Sequence, residues 1–297
     1  MGNRAHHSID PQVTGYDADM RSIQVRPMTP ADVEPVATAF LGDDWGDRRG
    51  FLAFVTTHQE ALPFVAEANG AIIGTSVASL HGSVAWIGMV WVHPDWRRRG
   101  VGTELTRAAI DATDSVGCRT LVLVATEAGR PLYEGIGFEV QTWYRILEAP
   151  GLDDGPIDPR IRPYRASDLA ALRALDAAAT GEDRGHLLAA FATAASTRVL
   201  EHTDGTLGGF VVRAPWGGGA TIAPLREDAE AILHSRRVGR GPRQRVRAGL
   251  VAANQTGLDR LLATGWTEAW RAPRLIRGDA LAWQPEAIWG QFNHALG

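Results

Sequence analysis

The chain has 297 residues, 45% of them hydrophobic, and 30 basic against 34 acidic groups, a formal charge of −4. That length and composition bury a core without covalent staples, as one large domain or as two of roughly 150 residues. The acidic balance argues against a broadly basic nucleic-acid binder, the lone Cys118 excludes an intrachain disulfide and a cysteine metal cluster, and no apolar run reaches the roughly 20 residues that span a bilayer. The first residues lack an apolar signal-peptide core, and position 6 is His rather than Ser or Thr, a poor fit to a myristoylation signal. The expectation is a cytoplasmic enzyme or binding protein with no metal and no membrane partner. All 30 basic residues are arginine, which fits coding bias in a GC-rich genome.

Residues 1–20 are polar and aperiodic and read as a flexible leader. Residues 23–26 read as a strand, and Thr29-Pro30 as a helix start, with Thr as N-cap and Pro in the first turn. Residues 63–70 form a strand ending in an Asn-Gly turn, with 71–79 as its hairpin partner. Residues 84–92 are a further apolar run. A helix begins near Val101, with Leu105, Ala108, Ala109 and Ala112 at helical spacing. Residues 119–125 read as a strand buried on both faces, 130–135 as a short helix and 138–147 as a strand. Residues 150–160 are a linker by composition. The pattern then restarts. Arg26-Pro27 before Asp32-Val33 is echoed by Arg162-Pro163 before Asp168-Leu169. Tyr133-Glu-Gly-Ile-Gly-Phe138 is echoed by Leu261-Leu-Ala-Thr-Gly-Trp266. The common order favours a duplicated α/β domain, over 21–149 and 161–297.

The most informative segment is Val90-Trp-Val-His-Pro-Asp-Trp-Arg-Arg-Arg-Gly-Val-Gly-Thr103, read as strand, turn, glycine-rich loop and helix. A helix N-terminus offers unpaired N–H groups and the positive end of the macrodipole. Gly100 and Gly102 let a ligand approach them, Arg97, Arg98 and Arg99 add positive charge, and Thr103 a hydroxyl. Together these suit a pyrophosphate. The loop lacks the Gly-Lys-Ser/Thr ending of a P-loop and is not Gly-x-Gly-x-x-Gly.

With Val90-Trp-Val-His-Pro94, Arg97-Arg-Arg-Gly-Val-Gly102 and Tyr133-Glu-Gly-Ile-Gly-Phe138 in this order, the sequence resembles the GNAT superfamily of acyl-CoA-dependent N-acyltransferases over residues 22–148. The second half resembles the divergent C-terminal domain of two-domain members, through the stretches ending at Gly278 and beginning at Ile288. The resemblance implies tandem α/β (α+β) domains. Each is a mixed, mostly antiparallel sheet with flanking helices and a splayed parallel strand pair, here 84–92 and 120–125. It implies acetyl-CoA as cosubstrate, its pantetheine along the backbone of Val90, Trp91 and Val92 and its diphosphate on Arg98 to Thr103, Val101 included.

Amine attack on a thioester needs loss of the amine proton, a donor for the oxyanion and stabilisation of the leaving thiolate. In the family the tyrosine of Tyr-x-x-x-Gly-Phe serves the sulfur, and Tyr133 holds that position. A tyrosine near pKa 10 would protonate a thiolate of thiol pKa near 8.5 uphill by about 2 kcal/mol, so Tyr133 acts at least as a hydrogen-bond donor. Glu67, His81 and Glu127 are base candidates by chain position; a water relay is an equal alternative, and none is chosen. Many relatives carry asparagine where this chain has Thr126. That threonine, and Arg130 toward a CoA phosphate, are the expected contacts there.

The family's acceptor site borders the loop holding Asp43, Asp44 and Trp45, which suit a cationic or aromatic amine. In the second half, 223–229 has no Gly-x-Gly, puts Glu227 and Asp228 where a pyrophosphate needs positive charge, and Leu261 replaces the tyrosine. That half is expected not to bind CoA in the same way, but to shape the acceptor pocket or an interface. The basic stretch Arg236, Arg237, Arg240, Arg243, Arg245 and Arg247 reads as a solvated loop and strand edge, with an anionic acceptor or nucleic acid as the minority reading. The expected function is acetyl transfer from acetyl-CoA to a primary amine of a small molecule in a ternary complex. The alternatives are another short acyl-CoA, a protein amine, or a catalytically silent acyl-CoA sensor, and the reading allows a homodimer.

Overall fold

The computed structural model describes residues 23–43 and 45–297. The leader at 1–20 and Asp44 lie outside the described residues. Strand β1 (Gln24–Pro27) leads through a Pro30–Asp32 turn, N-capped by Thr29, into α1 (Val33–Gly42) and then α2 (Arg49–Val55). β2 (Ala61–Ala68) and β3 (Ala71–His81) form a hairpin over Asn69 and Gly70, both left-handed at φ 53° and 76°. β4 (Val84–Val92) precedes α3 (Val101–Ser115), whose buried Val101, Leu105, Ala109 and Thr113 recur at the spacing of one helix face. β5 (Thr120–Val124), α4 (Arg130–Glu134) and β6 (Glu139–Pro150) complete the first half.

The second half repeats this order. It runs β7 (Ile161–Pro163), α5 (Leu169–Thr180), α6 (Gly185–Phe191), β8 (Thr197–Glu201), β9 (Leu207–Arg213), β10 (Gly219–Ile222), α7 (Arg226–Ser235), β11 (Arg245–Val251), α8 (Gln255–Ala263), β12 (Thr267–Gly278) and β13 (Ile288–Gly290). The echoes seen in the sequence are the same local structures. Arg26 forks onto Asp32 with both bonds at 2.9 Å and also meets Glu67 on β2. Arg162 forks onto Asp168 at 2.8 and 2.9 Å and meets Glu201 on β8. The Phe138 N–H donates to Tyr133 O at 3.0 Å, and the Trp266 N–H to Leu261 O at 3.1 Å.

The linear division at 150–160 does not carry over into the sheets. The large sheet runs β1-β2-β3-β4-β5-β12-β6-β11, and the smaller β13-β10-β9-β8-β7. β12 of the second half lies antiparallel between β5 and β6, and β6 of the first half pairs with β11. The large sheet is therefore built from both halves, while the smaller one takes its strands from the second half alone. The linker residues are tied down as well, with the Gly151 N–H donating to Gln244 O at 2.7 Å and that of Leu152 to Arg237 O at 2.8 Å. One buried cluster joins Phe40, Phe51 and Leu52 to Leu172, Phe191, Phe210 and Phe292, so the core is shared between the halves.

Candidate active site

β4 and β5 run parallel and pair only through Val84–Thr120, Ala85–Leu121 and Trp86–Val122. Beyond Trp86 they part. The cause lies in β4, where Val77 faces Gly88 but Thr75 faces Trp91, so β4 carries one residue more than β3. Met89, at φ 52°, takes up that bulge, and Thr75 Oγ1 donates to its carbonyl at 2.7 Å. From Ile87 to Val92 one edge of β4 is left without a strand partner. It opens into a cavity of about 1030 Å³ that Val90, Trp91, Val92, Arg97, Gly102, Thr126 and Tyr133 help to line.

α3 starts at this open edge. Gly100 is its left-handed N-cap at φ 82°, and the Glu104 N–H donates to Gly100 O at 3.1 Å. The N–H groups of Val101, Gly102 and Thr103 precede the first helical bond and are free for an anion. A Cβ on Gly102 would stand 3.2 Å from Leu132 Cδ1, so a side chain there would press on the cavity wall. The three arginines differ. Arg97 turns back, its Nε donating to Val92 O at 3.0 Å and its guanidinium pairing with Asp43. Arg98 is exposed in a left-handed conformation at φ 61°, and Arg99 lies over the Trp96 ring at 5.2 Å.

Tyr133, 9% exposed, sits in α4 against Phe138 with its ring on the cavity. Burial pushes its phenol up to about 12. Thr126 Oγ1 accepts from the Gly129 N–H at 3.1 Å, closing the turn before α4. Arg130 pairs with Glu134 at 3.0 Å and reaches Glu127 at 3.8 Å, outside the cavity lining. Of the base candidates, Glu67 pairs with Arg26 and Glu127 with Arg130, while His81 is buried beside His186; none lines the cavity.

On the acceptor side Trp45 lines the cavity and packs on Phe40 at 5.1 Å. Asp43 is not among the cavity-lining residues, and its carboxylate takes the Trp91 indole N–H at 2.7 Å as well as Arg97. The opposite wall comes from the second half, through Arg213, Trp216, Arg236, Arg240 and the segment 290–295. That segment follows β13, and Ala295 rests on Gly88 of β4. It presents His294, which stacks on Tyr144 at 6.1 Å and meets the Trp270 ring edge-on at 5.1 Å. Burial lowers His294 to about 4, so its ring is neutral near pH 7. Sequence reasoning missed this residue, because nothing local to 291–297 marks it as reaching β4. It also gave the arginines from 236 onward to solvent. One signal was available: no Asp or Glu occurs between Glu230 and Asp259.

The corresponding places in the second half are filled by the chain itself. β13 pairs antiparallel with β10 and lies against β11, in the gap that stays open between β4 and β5. At the first turn of α7 the buried Asp228 takes bonds from Arg160 at 2.9 Å and His202 at 2.7 Å, putting a carboxylate where α3 has free N–H groups. Leu261 is 2% exposed in the core.

Fold and site together define a tandem α/β architecture with one open splayed strand pair in two. The Acetyltransferase (GNAT) family matches residues 20–138, and a second Acetyltransferase (GNAT) domain family matches 172–290. An N-acetyltransferase of Bacillus subtilis, YitH, described as uncharacterized, is 28% identical over 236 residues, covering 77% of this chain and 82% of its own. A putative acetyltransferase from Pyrococcus horikoshii superposes with a TM-score of 0.77 at 18% identity, over 98% of this chain and 100% of its own. A tandem GNAT protein from the clavulanic acid biosynthesis pathway superposes with a TM-score of 0.55 at 13% identity, over 86% and 98%. The chain belongs to the GNAT acetyltransferase family and carries two of its domains in tandem.

Proposed function

We propose that this protein transfers an acetyl group from acetyl-CoA to the primary amine of a small molecule, at the one open strand pair. The observation that carries the reading is the meeting, in one cavity, of the unpartnered edge of β4 with the free first turn of α3. Acetyl-CoA supplies the activated thioester. The N–H groups of Val101, Gly102 and Thr103, with Arg98, take its diphosphate. The edge at Val90, Trp91 and Val92 takes the pantetheine amides as an added strand would and supplies a backbone donor to the developing oxyanion. The amine nitrogen bonds to the carbonyl carbon as the carbon–sulfur bond breaks, and one amine proton is lost.

Tyr133 stands beside the leaving sulfur. With its phenol near 12 and a thiol near 8.5, full proton transfer is uphill by about 5 kcal/mol. Tyr133 therefore donates a hydrogen bond, and the thiolate takes its proton from solvent after release. His294, neutral and on the cavity, accepts a hydrogen bond from the amine; with its conjugate acid held near 4 it is too weak a base to keep the proton, which passes to water. The experiment is release of CoA thiol from acetyl-CoA across a library of primary amines. Amine-dependent release supports the reading. Binding of acetyl-CoA with no release from any amine would leave a silent sensor, and faster release from propionyl- or succinyl-CoA would change the donor.

A further inference from the structure

The cavity is unusually one-signed. Six arginines, Arg48, Arg213, Arg236, Arg240, Arg245 and Arg247, line it besides Arg97, and no Asp or Glu does among the described residues. This occurs in a chain of net charge −4. Several arginines elsewhere are tightly paired: Arg26, Arg49, Arg160, Arg162 and Arg184 each meet a carboxylate within 3.0 Å. On the cavity, Arg245 and Arg247 reach only Glu148, at 4.0 and 3.5 Å, and Arg213, Arg236 and Arg240 make no ion pair with a described residue. Arg236 and Arg240 are half-buried, and the Arg240 Nε spends its bond on the Arg236 carbonyl at 2.9 Å. Confinement and mutual repulsion among the three bring Arg236 down to about 10. Arg213 is lowered too, by desolvation and by Arg240. Like charges gathered in a cleft without counterions destabilise the empty protein and are relieved by an anion.

A second observation points the same way. Gln291 lines this cavity at 9% exposure, and neither its Oε1 nor its Nε2 has a hydrogen-bond partner among the described residues. A buried orphan amide costs on the order of 1–3 kcal/mol until something polar satisfies it.

The wall faces the reacting end of the cavity rather than the diphosphate end. Gly219, paired with Arg213, donates its N–H to Gln291 O at 3.1 Å. Four residues further on, Ala295 abuts Gly88. Gly88 precedes the bulge at Met89, whereas α3 begins beyond the far end of β4. Arg213 is thus tied, through the segment 291–295, to the middle of β4. We propose that the acceptor amine carries an anionic group, carboxylate or phosphate, which Arg213, Arg236 and Arg240 hold while its nitrogen faces the thioester. This rests on the acetyl-transfer reading and names the acceptor class for it. It also gives named residues to one of the two roles expected of the second half, shaping the acceptor pocket.

The test compares matched amines in the thiol-release assay: propylamine, β-alanine as its carboxylate analogue, and O-phosphoethanolamine against ethanolamine. The expected result is kcat/KM at least 30-fold higher for the anionic member of at least one pair, and the better pair distinguishes carboxylate from phosphate. Arg213→Met and Arg236→Met, which keep the apolar stem, should each raise KM for that acceptor at least tenfold and leave KM for acetyl-CoA within twofold. Neutral amines turned over as well as their acidic partners would overturn the inference while leaving acetyl transfer intact. A rise in KM for acetyl-CoA alone would overturn it too, by giving the arginines to the CoA phosphates. If no amine releases thiol, the acetyl-transfer reading fails separately. Titration calorimetry with inorganic phosphate and with acetate, wild type against Arg236→Met, then decides the wall: binding lost in the variant supports an anion site, and no binding to wild type overturns it.

Discussion

Gly88 and Ala295 touch with no space for a side chain between them: a Cβ on the glycine would lie 2.6 Å from both Cα and Cβ of Ala295 and 2.7 Å from the His294 carbonyl. Two of these three neighbours are backbone, so a methyl at 88 has to displace the segment that carries His294. Gly88→Ala should lower kcat at least tenfold and destabilise the fold by about 1–3 kcal/mol. Thermal melting and steady-state kinetics check this. A variant with wild-type kcat would show that the segment does not have to rest on β4.

For Tyr133→Phe, we expect kcat to fall about 10- to 100-fold, with acetyl-CoA affinity unchanged by calorimetry. The lost group is a hydrogen-bond donor in a buried site, worth about 1.5–3 kcal/mol toward a charged sulfur. Because the wild-type phenol is held near 12, the kcat profile should show no ionisation below pH 11 that Tyr133→Phe removes.

Arg98→Glu combined with Gly102→Asp places one carboxylate in the loop before α3 and one in its first turn, where the free N–H groups favour an anion. Acetyl-CoA affinity should drop at least 100-fold. A Cβ at 102 also crowds Leu132 at 3.2 Å, so the melting temperature is measured alongside. Unchanged affinity in a folded double variant would remove this loop from the CoA site.

Acid should unfold the protein earlier than its carboxylates alone require. His186 bridges the halves, meeting His58 Nε2 at 2.7 Å and His81 Nδ1 at 3.0 Å. Burial, and repulsion from His58, lower His186 from 6.5 to about 4, with Asp183 opposing and Arg184 adding; burial lowers His294 to the same value. The folded state therefore binds fewer protons than the unfolded chain between these values. The stabilisation is complete above about pH 6.5 and is lost as pH falls toward 4. Each histidine contributes about 2 kcal/mol after a discount for partial exposure. Denaturant midpoints from pH 7.5 to 4.5 should fall, and His186→Phe should flatten the slope.

The parts of this molecule that local chemistry dictates were legible in the sequence. The helix from Val101 and the Asn69-Gly70 hairpin follow from residues a few positions apart, and the echo of Arg26…Asp32 in Arg162…Asp168 was visible as a repeat, though not as the ion pair each forms. The absence of Gly-x-Gly at 223–229 is equally local, whereas the hold of Arg160 and His202 on Asp228 comes from distant segments. What stayed hidden depends on which strands become neighbours. Nothing in the sequence of 267–278 says that it lies beside β5. The arginines from 236 onward read as solvated because composition reports charge and not concavity. Asp43 read as an acceptor contact because nothing nearby announces that it receives the Trp91 indole.

The placement of β12 also bears on how this protein is made. Domains of a nascent chain usually fold in order of emergence. Here a chain that has emerged only as far as residue 160 holds β5 and β6 but not the strand that belongs between them. Its open edges, one on β5 and both on β6, must be kept from other chains until β11 and β12 arrive. The sheet of the first half is accordingly finished only with strands of the second.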